Sequence, residues 1–220
     1  MQDFETEEQQ LEAIKRWWHE NGSSILIGLA IGGLSLGGWS WYQNTQVEHS
    51  LKASDMYVSV VTQAETSGGS AFDTTTADQL VAGYADTPYA ALSSLVVAQH
   101  ELRTGNTEQA ITRLQWVKSN AVQDEFKQLA QLRLARLLIA QNKYDEAYEL
   151  LSAEHPAAFD ALYEELKGDV FVARSEVEQA RIAYDKAIIS AANPSHWLQL
   201  KRQNLGASSL GNAKLTEPAT

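Results

Sequence analysis

The chain has 220 residues, a net charge of −11 at neutral pH and no cysteine. The negative charge argues against nucleic acid as a partner, because binding the phosphate backbone requires a basic surface. The lack of cysteine excludes disulfides and thiolate metal sites. The length is sufficient for one domain with a hydrophobic core of ordinary size.

Residues 1–22 are acidic and are predicted to form a short helix at a membrane surface. Thr6 and Gln9 have the spacing of a capping box, and the apolar residues that follow recur at helical spacing. Asn21 and Gly22 are typical of a helix break, so the short helix is expected to end there.

Residues 23–42 are predicted to cross a membrane once. The stretch Ile25–Tyr42 has eighteen residues without a charge. As a helix it is about 27 Å long, close to the ~30 Å hydrocarbon core of a bilayer. Tryptophans lie at both edges, where membrane interfaces favour them. The alternative of a buried helix in water is weakened by its glycines, and the acidic leader argues against a cleaved signal peptide.

Four glycines of this segment are spaced for contact with another membrane helix. They form two pairs with members four residues apart, so that small residues share a helix face. These are Gly28, Gly32, Gly33 and Gly37. The orientation follows from Lys15 and Arg16 before the span and only Lys52 soon after it. The positive-inside rule then predicts a cytoplasmic amino terminus, with the following domain across the membrane.

Residues 43–204 are predicted to form one helical domain. A helix continues out of the membrane to about Glu65, and Ser67–Ser70 is a loop. A second helix is expected from about Thr75 to Gly83, and Pro88 is well placed to open a third.

Internal repetition after Pro88 predicts the fold. Three segments align on Ala110, Ala147 and Ala180, at spacings of 37 and 33 residues, close to the 34 of a tetratricopeptide repeat. Twelve residues before each alanine lies a small residue, and four after it a large one. These are Ala98, Ala135 and Gly168, then Leu114, Leu151 and Tyr184. Small residues let paired helices approach closely, and large ones fill the gap to the next pair. Glu101 and Lys167 depart from the pattern at usually apolar places.

The predicted fold class is therefore all-α: a single N-terminal transmembrane helix followed by a tetratricopeptide-repeat-like α-solenoid. A helix at about Ser195 to Asn204 is expected to cap the array, and residues 205–220 are expected to be a flexible tail.

A partner-binding groove is predicted from the repeat register, because the first helix of each pair lines the concave surface of such a solenoid. Counting eight and eleven residues back from the three alanines identifies its candidate lining. These residues are Gln99, Leu102, Arg136, Ile139, Asp169 and Val172. A groove of this composition suits extended or helical segments. The alternative for its apolar members is a place in the core.

The chain shows no catalytic, cofactor or metal motif. Its five histidines are far apart, and no HExxH pattern or phosphate-binding glycine loop occurs. We therefore predict a protein that is not an enzyme and needs no cofactor.

Five segments, KRWWHENG, WSWY, GNTEQA, NKYDEA and WLQLKRQNL, resemble the YfgM family of bacterial inner-membrane proteins, which are ancillary subunits of the SecYEG translocon. The resemblance covers essentially the whole chain. It implies a periplasmic domain, an anchor in membrane lipid, association with the translocon and the periplasmic chaperone PpiD, and a part in handling newly exported proteins.

The functional prediction is a non-catalytic, membrane-anchored protein-binding scaffold at the translocon. The alternative is a tetratricopeptide receptor or regulator whose domain faces the cytosol, which requires the opposite topology. An enzyme is the third possibility, and it would need a polar constellation that the sequence does not contain.

Overall fold

The computed structural model describes residues 7–66 and 72–206, and within these ranges the chain is helical without any strand. The chain divides into two compact units, Met1–Lys52 and Ala53–Thr220. The predicted capping residue Thr6, the loop Ser67–Ser70 and the tail beyond Gly206 lie outside the described residues.

Helix α1 runs without interruption over Glu7–Thr66. The predicted break at Asn21 and Gly22 is therefore wrong. The Asn21 side-chain amide donates a hydrogen bond to the Trp17 carbonyl at 3.0 Å, one turn back. This bond satisfies the side chain inside the helix, so the asparagine does not compete with the helical backbone.

In the first unit, α1 leaves its apolar side chains uncovered. Leu34 is 78% exposed, and the other large apolar residues of the predicted span are exposed as well, except Ile25, which is partly buried. The described chain has one helix long and apolar enough to cross a membrane, over Ile14–Thr66. A row of exposed leucine, isoleucine and tryptophan side chains is what a bilayer would cover.

The second unit begins with the last turns of α1 and contains eight further α-helices and one short 3₁₀ turn in its described part. They are α2 (Thr75–Gly83), α3 (Pro88–Arg103), α4 (Thr107–Asn120), α5 (Asp124–Ala140), α6 (Tyr144–Leu151), the 3₁₀ turn (Ala157–Phe159), α7 (Asp160–Ala173), α8 (Val177–Ser190) and α9 (His196–Asn204). Helices α3 and α4, α5 and α6, and α7 and α8 pack as pairs, and α3, α5 and α7 also contact one another in sequence. This is the stacking of a helical-repeat solenoid.

The three turns inside these pairs share one backbone geometry. In each, the residue five positions before the anchor alanine has a positive φ: Gly105 (84°), Asn142 (61°) and Ser175 (65°). Its N–H bonds to the carbonyl three residues back, and the next N–H bonds to the carbonyl five residues back. This is the Schellman pattern. Because it recurs at one register position, it supports the predicted repeat alignment.

The packing of the repeats follows the predicted small and large positions. Ala110, Ala147 and Ala180 are fully buried. Gly168 lies against Tyr184 so closely that a Cβ at this position would overlap the tyrosine ring. The fold prediction, a single apolar N-terminal helix followed by a tetratricopeptide-like solenoid, is confirmed.

Alanine makes up half of the core of the second unit. Among the buried apolar residues of its described part, alanines are as numerous as all the larger side chains together. Ala53 and Ala77 lie where α1, α2 and α3 meet, and Ala98 and Ala130 lie where the first two repeats meet. Small side chains at these places allow the helices to approach closely.

Helix α9 closes the array, as the sequence predicts. Ser195 caps it by accepting a hydrogen bond from the Leu198 N–H at 3.1 Å. Leu198 then packs on Tyr184 and Ala187 of α8. Lys201 adds a polar contact, because its ammonium group is 2.8 Å from carboxylate oxygens of both Glu165 and Asp169 on α7.

Candidate partner-binding groove

Three of the six predicted groove residues line one cavity between α3 and α5. Gln99, Leu102 and Arg136 surround a space of about 270 Å³. The rest of the lining is apolar apart from one further arginine and consists of Ala98, Leu114, Arg133 and Leu137. We call this space the groove cavity. It combines leucine walls with two cationic side chains.

The electrostatics of the groove cavity come from Arg133 and Arg136, which are one helical turn apart on α5. Burial lowers the pKa of Arg133, and the neighbouring charge of Arg136 lowers it further. Arg133 donates a long hydrogen bond, 3.4 Å, to the Leu95 carbonyl. In the described part of the chain neither arginine forms an ion pair with a carboxylate. Two unpaired guanidinium groups beside apolar walls can bind a carboxylate or backbone carbonyls.

Ile139 and Val172 lie outside the groove cavity. Ile139 is partly buried and packs on the core cluster around Leu132 and Tyr163. Val172 is 42% exposed. The carbonyls of both residues accept the Schellman bonds of their turns. Both residues therefore lie at the carboxyl ends of their helices, Ile139 in α5 and Val172 in α7. Ile139 belongs to the core, which was the alternative to a place in the groove.

The carboxylate of Asp169 is already engaged within the domain. The Tyr184 hydroxyl donates to it at 2.7 Å, and the Lys201 ammonium donates to both of its oxygens at 2.8 Å. Burial raises the pKa of Tyr184, and the hydrogen bond to Asp169 raises it further. Asp169 thus holds α7, α8 and α9 together, and it lines none of the groove cavity.

Sequence reasoning missed Arg133 and Lys201. Arg133 precedes the predicted Arg136 by three residues, which is enough to place both on one helix face. Lys201 lies outside the repeat register, so no repeat position identifies it. The only signal for Lys201 was the basic end of the closing helix.

The four glycines of the first unit lie on an uncovered part of α1. A Cβ added at Gly28, Gly32, Gly33 or Gly37 would meet no atom within 4 Å. This surface is available to another helix or to lipid, and its role as a contact face stays a prediction.

Two single substitutions test which predicted residues belong to the groove and which to the core. We expect Arg136→Glu to change the free energy of unfolding by less than about 0.5 kcal/mol, because the side chain is exposed. Ile139→Asp should cost about 1–2 kcal/mol, since it places a charge against a packed cluster. Urea unfolding of the full chain in detergent micelles measures both. Equal effects would contradict the assignment of Ile139 to the core.

Among the described residues no group of three or more histidine or acidic side chains is arranged to hold a metal ion. The polar residues of the groove cavity are arginine and glutamine, which donate hydrogen bonds to anions and carbonyls.

Comparison with known proteins agrees with this architecture. The profile of a family described as a tetratricopeptide repeat-like domain matches residues 15–207. The chain is 30% identical to the ancillary SecYEG translocon subunit of Escherichia coli K12, over 93% of this chain and 99% of that protein. It is 28% identical to the protein of the same name from Neisseria gonorrhoeae, over 90% and 97%. No solved structure matches the chain. The chain therefore carries a tetratricopeptide repeat-like domain and belongs to the family of ancillary SecYEG translocon subunits.

Proposed function

We propose that this protein is a non-catalytic, membrane-anchored scaffold that binds polypeptides at the SecYEG translocon. The observation that carries this proposal is the match to translocon subunits over almost the whole chain, from the apolar helix to the last repeat. Exported proteins in transit and the periplasmic chaperone PpiD are the proposed partners. The glycine face of α1 is proposed as the contact with membrane helices of the translocon.

The groove cavity is proposed as the site where a bound segment is held. Its leucine walls take an apolar side chain, while Arg133 and Arg136 bind a carboxylate or carbonyl beside it. Gln99, which is exposed at the rim, has both a donor and an acceptor for the backbone of an extended chain. A few directional bonds around an apolar pocket bind many sequences with modest affinity, as a scaffold for varied clients requires.

Reversing the charge of both arginines is the test of this site. We expect Arg133→Glu with Arg136→Glu to reduce crosslinking of newly exported chains to the full-length protein by about tenfold, since charge-assisted bonds become repulsive. Co-purification of the translocon subunits with the arginine variant would show that its membrane anchor still binds them. The matched control is Lys143→Glu with Lys186→Glu, which makes the same charge change at exposed positions outside the cavity. Undiminished crosslinking in the arginine variant would exclude the groove cavity as the client site.

The orientation is proposed from Lys15 and Arg16 before the span, which favour a cytoplasmic amino terminus and a periplasmic domain. A reporter that is active only outside the cytoplasm, fused after Asn204, should be active. Activity of a cytoplasmic reporter at the same position would instead support a receptor or regulator with its domain in the cytosol.

A further inference from the structure

A second cavity lies between α2, α3 and α4, and the proposed function makes no use of it. Its volume is about 280 Å³. The walls combine apolar and polar side chains, namely Val81, Ser94, Glu101, Gln109, Thr112, Arg113 and Trp116. We call it the Glu101 cavity. A single water needs only ~10–15 Å³ of such space, whereas pockets for drug-sized ligands begin near ~300 Å³. The space therefore suits one large side chain.

Glu101 is the unusual group in this cavity. It occupies a repeat position that is ordinarily apolar, and it is only 7% exposed. Its Oε1 is 3.7 Å from the Arg113 Nε. Its Oε2 is buried and has no hydrogen-bond partner. Burying such an oxygen without a donor is costly, and nearly all buried polar atoms in proteins are paired. The oxygen can therefore accept a hydrogen bond from a donor that enters the cavity, once the Glu101 side chain turns to meet it.

The charges around the cavity favour a cation as that donor. Arg113 is shared between two carboxylates, because its guanidinium also pairs with Asp78 on α2. Two acidic groups thus face one basic group. Burial raises the pKa of Glu101, and the charge of Arg113 opposes that rise. A second cation at Oε2 would act in the same direction as Arg113 and favour the ionised carboxylate.

We propose that the Glu101 cavity binds an arginine side chain of a partner polypeptide. The planar guanidinium can donate to Oε2 of Glu101 and lie against the indole of Trp116, which favours cations over its face. The aliphatic stem would contact Val81, which lines the same cavity. This site is separate from the groove cavity, so the protein would bind one partner through a basic side chain here and another through the arginines of α5.

The first test uses two small probes on the full-length protein in detergent micelles. N-butylguanidine carries the guanidinium and a short stem, and N-butylurea has the same shape without the charge. The indole N–H signal of Trp116, assigned with Trp116→Phe, reports binding by NMR. We expect a saturable shift with N-butylguanidine and binding at least about tenfold weaker with N-butylurea. Equal binding of the two probes, or no saturable shift with either, would overturn the proposal.

The second test uses variants and a peptide. Glu101→Gln keeps the size of the side chain and removes its charge, and we expect it to weaken N-butylguanidine binding at least about tenfold. Glu125→Gln is the control, since it makes the same change at an exposed position of α5. A peptide with one arginine should bind more tightly than its lysine counterpart; the reverse order would contradict recognition of the planar group. The comparison of probes on the unaltered chain decides the question even if Glu101→Gln fails to fold.

Discussion

Gly168→Ala should destabilise the repeat domain, the second unit of the chain, by about 3 kcal/mol or more, at the upper end of overpacking effects. The added methyl group would overlap the Tyr184 ring, which is almost fully buried between α7, α8 and α9. Relief requires α7 and α8 to move apart, which opens the last repeat. Urea unfolding of the full chain in micelles, followed by amide hydrogen exchange in α7 and α8, measures the loss.

Two comparisons separate this clash from the general effect of replacing glycine in a helix. Gly83→Ala, at the end of α2, meets no atom within 4 Å. It should be neutral or slightly stabilising, since alanine is the better helix former by ~1 kcal/mol. In a Tyr184→Ala background, Gly168→Ala should cost much less than in the unaltered chain, because the ring has gone. An equal cost in both backgrounds would show that the Tyr184 ring is not the reason why residue 168 must be a glycine.

The second large effect is expected at Lys201. Lys201→Met removes the cation that is 2.8 Å from Glu165 and from Asp169, and leaves two neighbouring carboxylates without it. The lysine side chain is 20% exposed. The loss in free energy of unfolding should therefore be about 2–3 kcal/mol, between the values for exposed and for buried ion pairs. The ammonium group also lies 6.0 Å from the centre of the Tyr184 ring, a contact that the variant loses. Detachment of α9 should accompany the loss and is measurable as faster exchange of its amides.

The stability that Lys201 supplies should disappear at alkaline pH. Burial alone would lower the pKa of Lys201, but the hydrogen bonds and charges of Asp169 and Glu165 outweigh burial and raise it above 10.5. A raised pKa in the folded state stabilises the protein fully below the unfolded value, and this stability is lost as the pH rises through the folded value. The difference between the unaltered chain and Lys201→Met should therefore be constant from pH 7 to about pH 10 and shrink above it. Tyr163, whose pKa burial raises to about 12, is present in both proteins, so its contribution cancels in the comparison.

The control for Lys201 is Lys186→Met, which removes the same charge from the exposed face of α8. It should change stability by less than about 0.5 kcal/mol. Adding Glu165→Gln and Asp169→Asn to Lys201→Met should recover most of the loss, because no unpaired charge then remains. A loss that persists in the triple variant would mean that Lys201 stabilises the domain mainly through the packing of its stem.

Local pattern was sufficient to predict the repeats. The small residue at Gly168 and the large one at Tyr184 were identified from spacing alone, and the structure places them in contact. Helix α2 has the predicted ends, Thr75 and Gly83. Such features depend on residues close in the chain and on a repeating geometry, so one alignment of the sequence with itself reveals them.

Features that join distant segments were less predictable. The repeat register predicts Asp169 in the groove, because it lies eleven residues before Ala180. Nothing in the repeat spacing indicates that Lys201 of α9 neutralises it. Ile139 shares a register position with Leu102, yet only Leu102 lines the groove cavity. The predicted break at Asn21 and Gly22 is also wrong, because α1 is continuous there. A turn signal is a local preference, and one side-chain bond to the backbone is enough to override it.

The alanine-rich core has a consequence for how this protein tolerates mutation. Most domains are destabilised when a large buried side chain is replaced by a smaller one, because the change leaves a cavity. Here many buried positions have little to shorten, and alanine loses almost no rotamer entropy when it is buried. Larger side chains are the damaging change here: a valine or leucine at Ala130 or Ala135, which are both fully buried, would require neighbouring helices to separate. Random substitutions in these helices should therefore be limited by side-chain volume more strictly than by hydrophobicity, and changes that preserve the fold should concentrate on the outward faces.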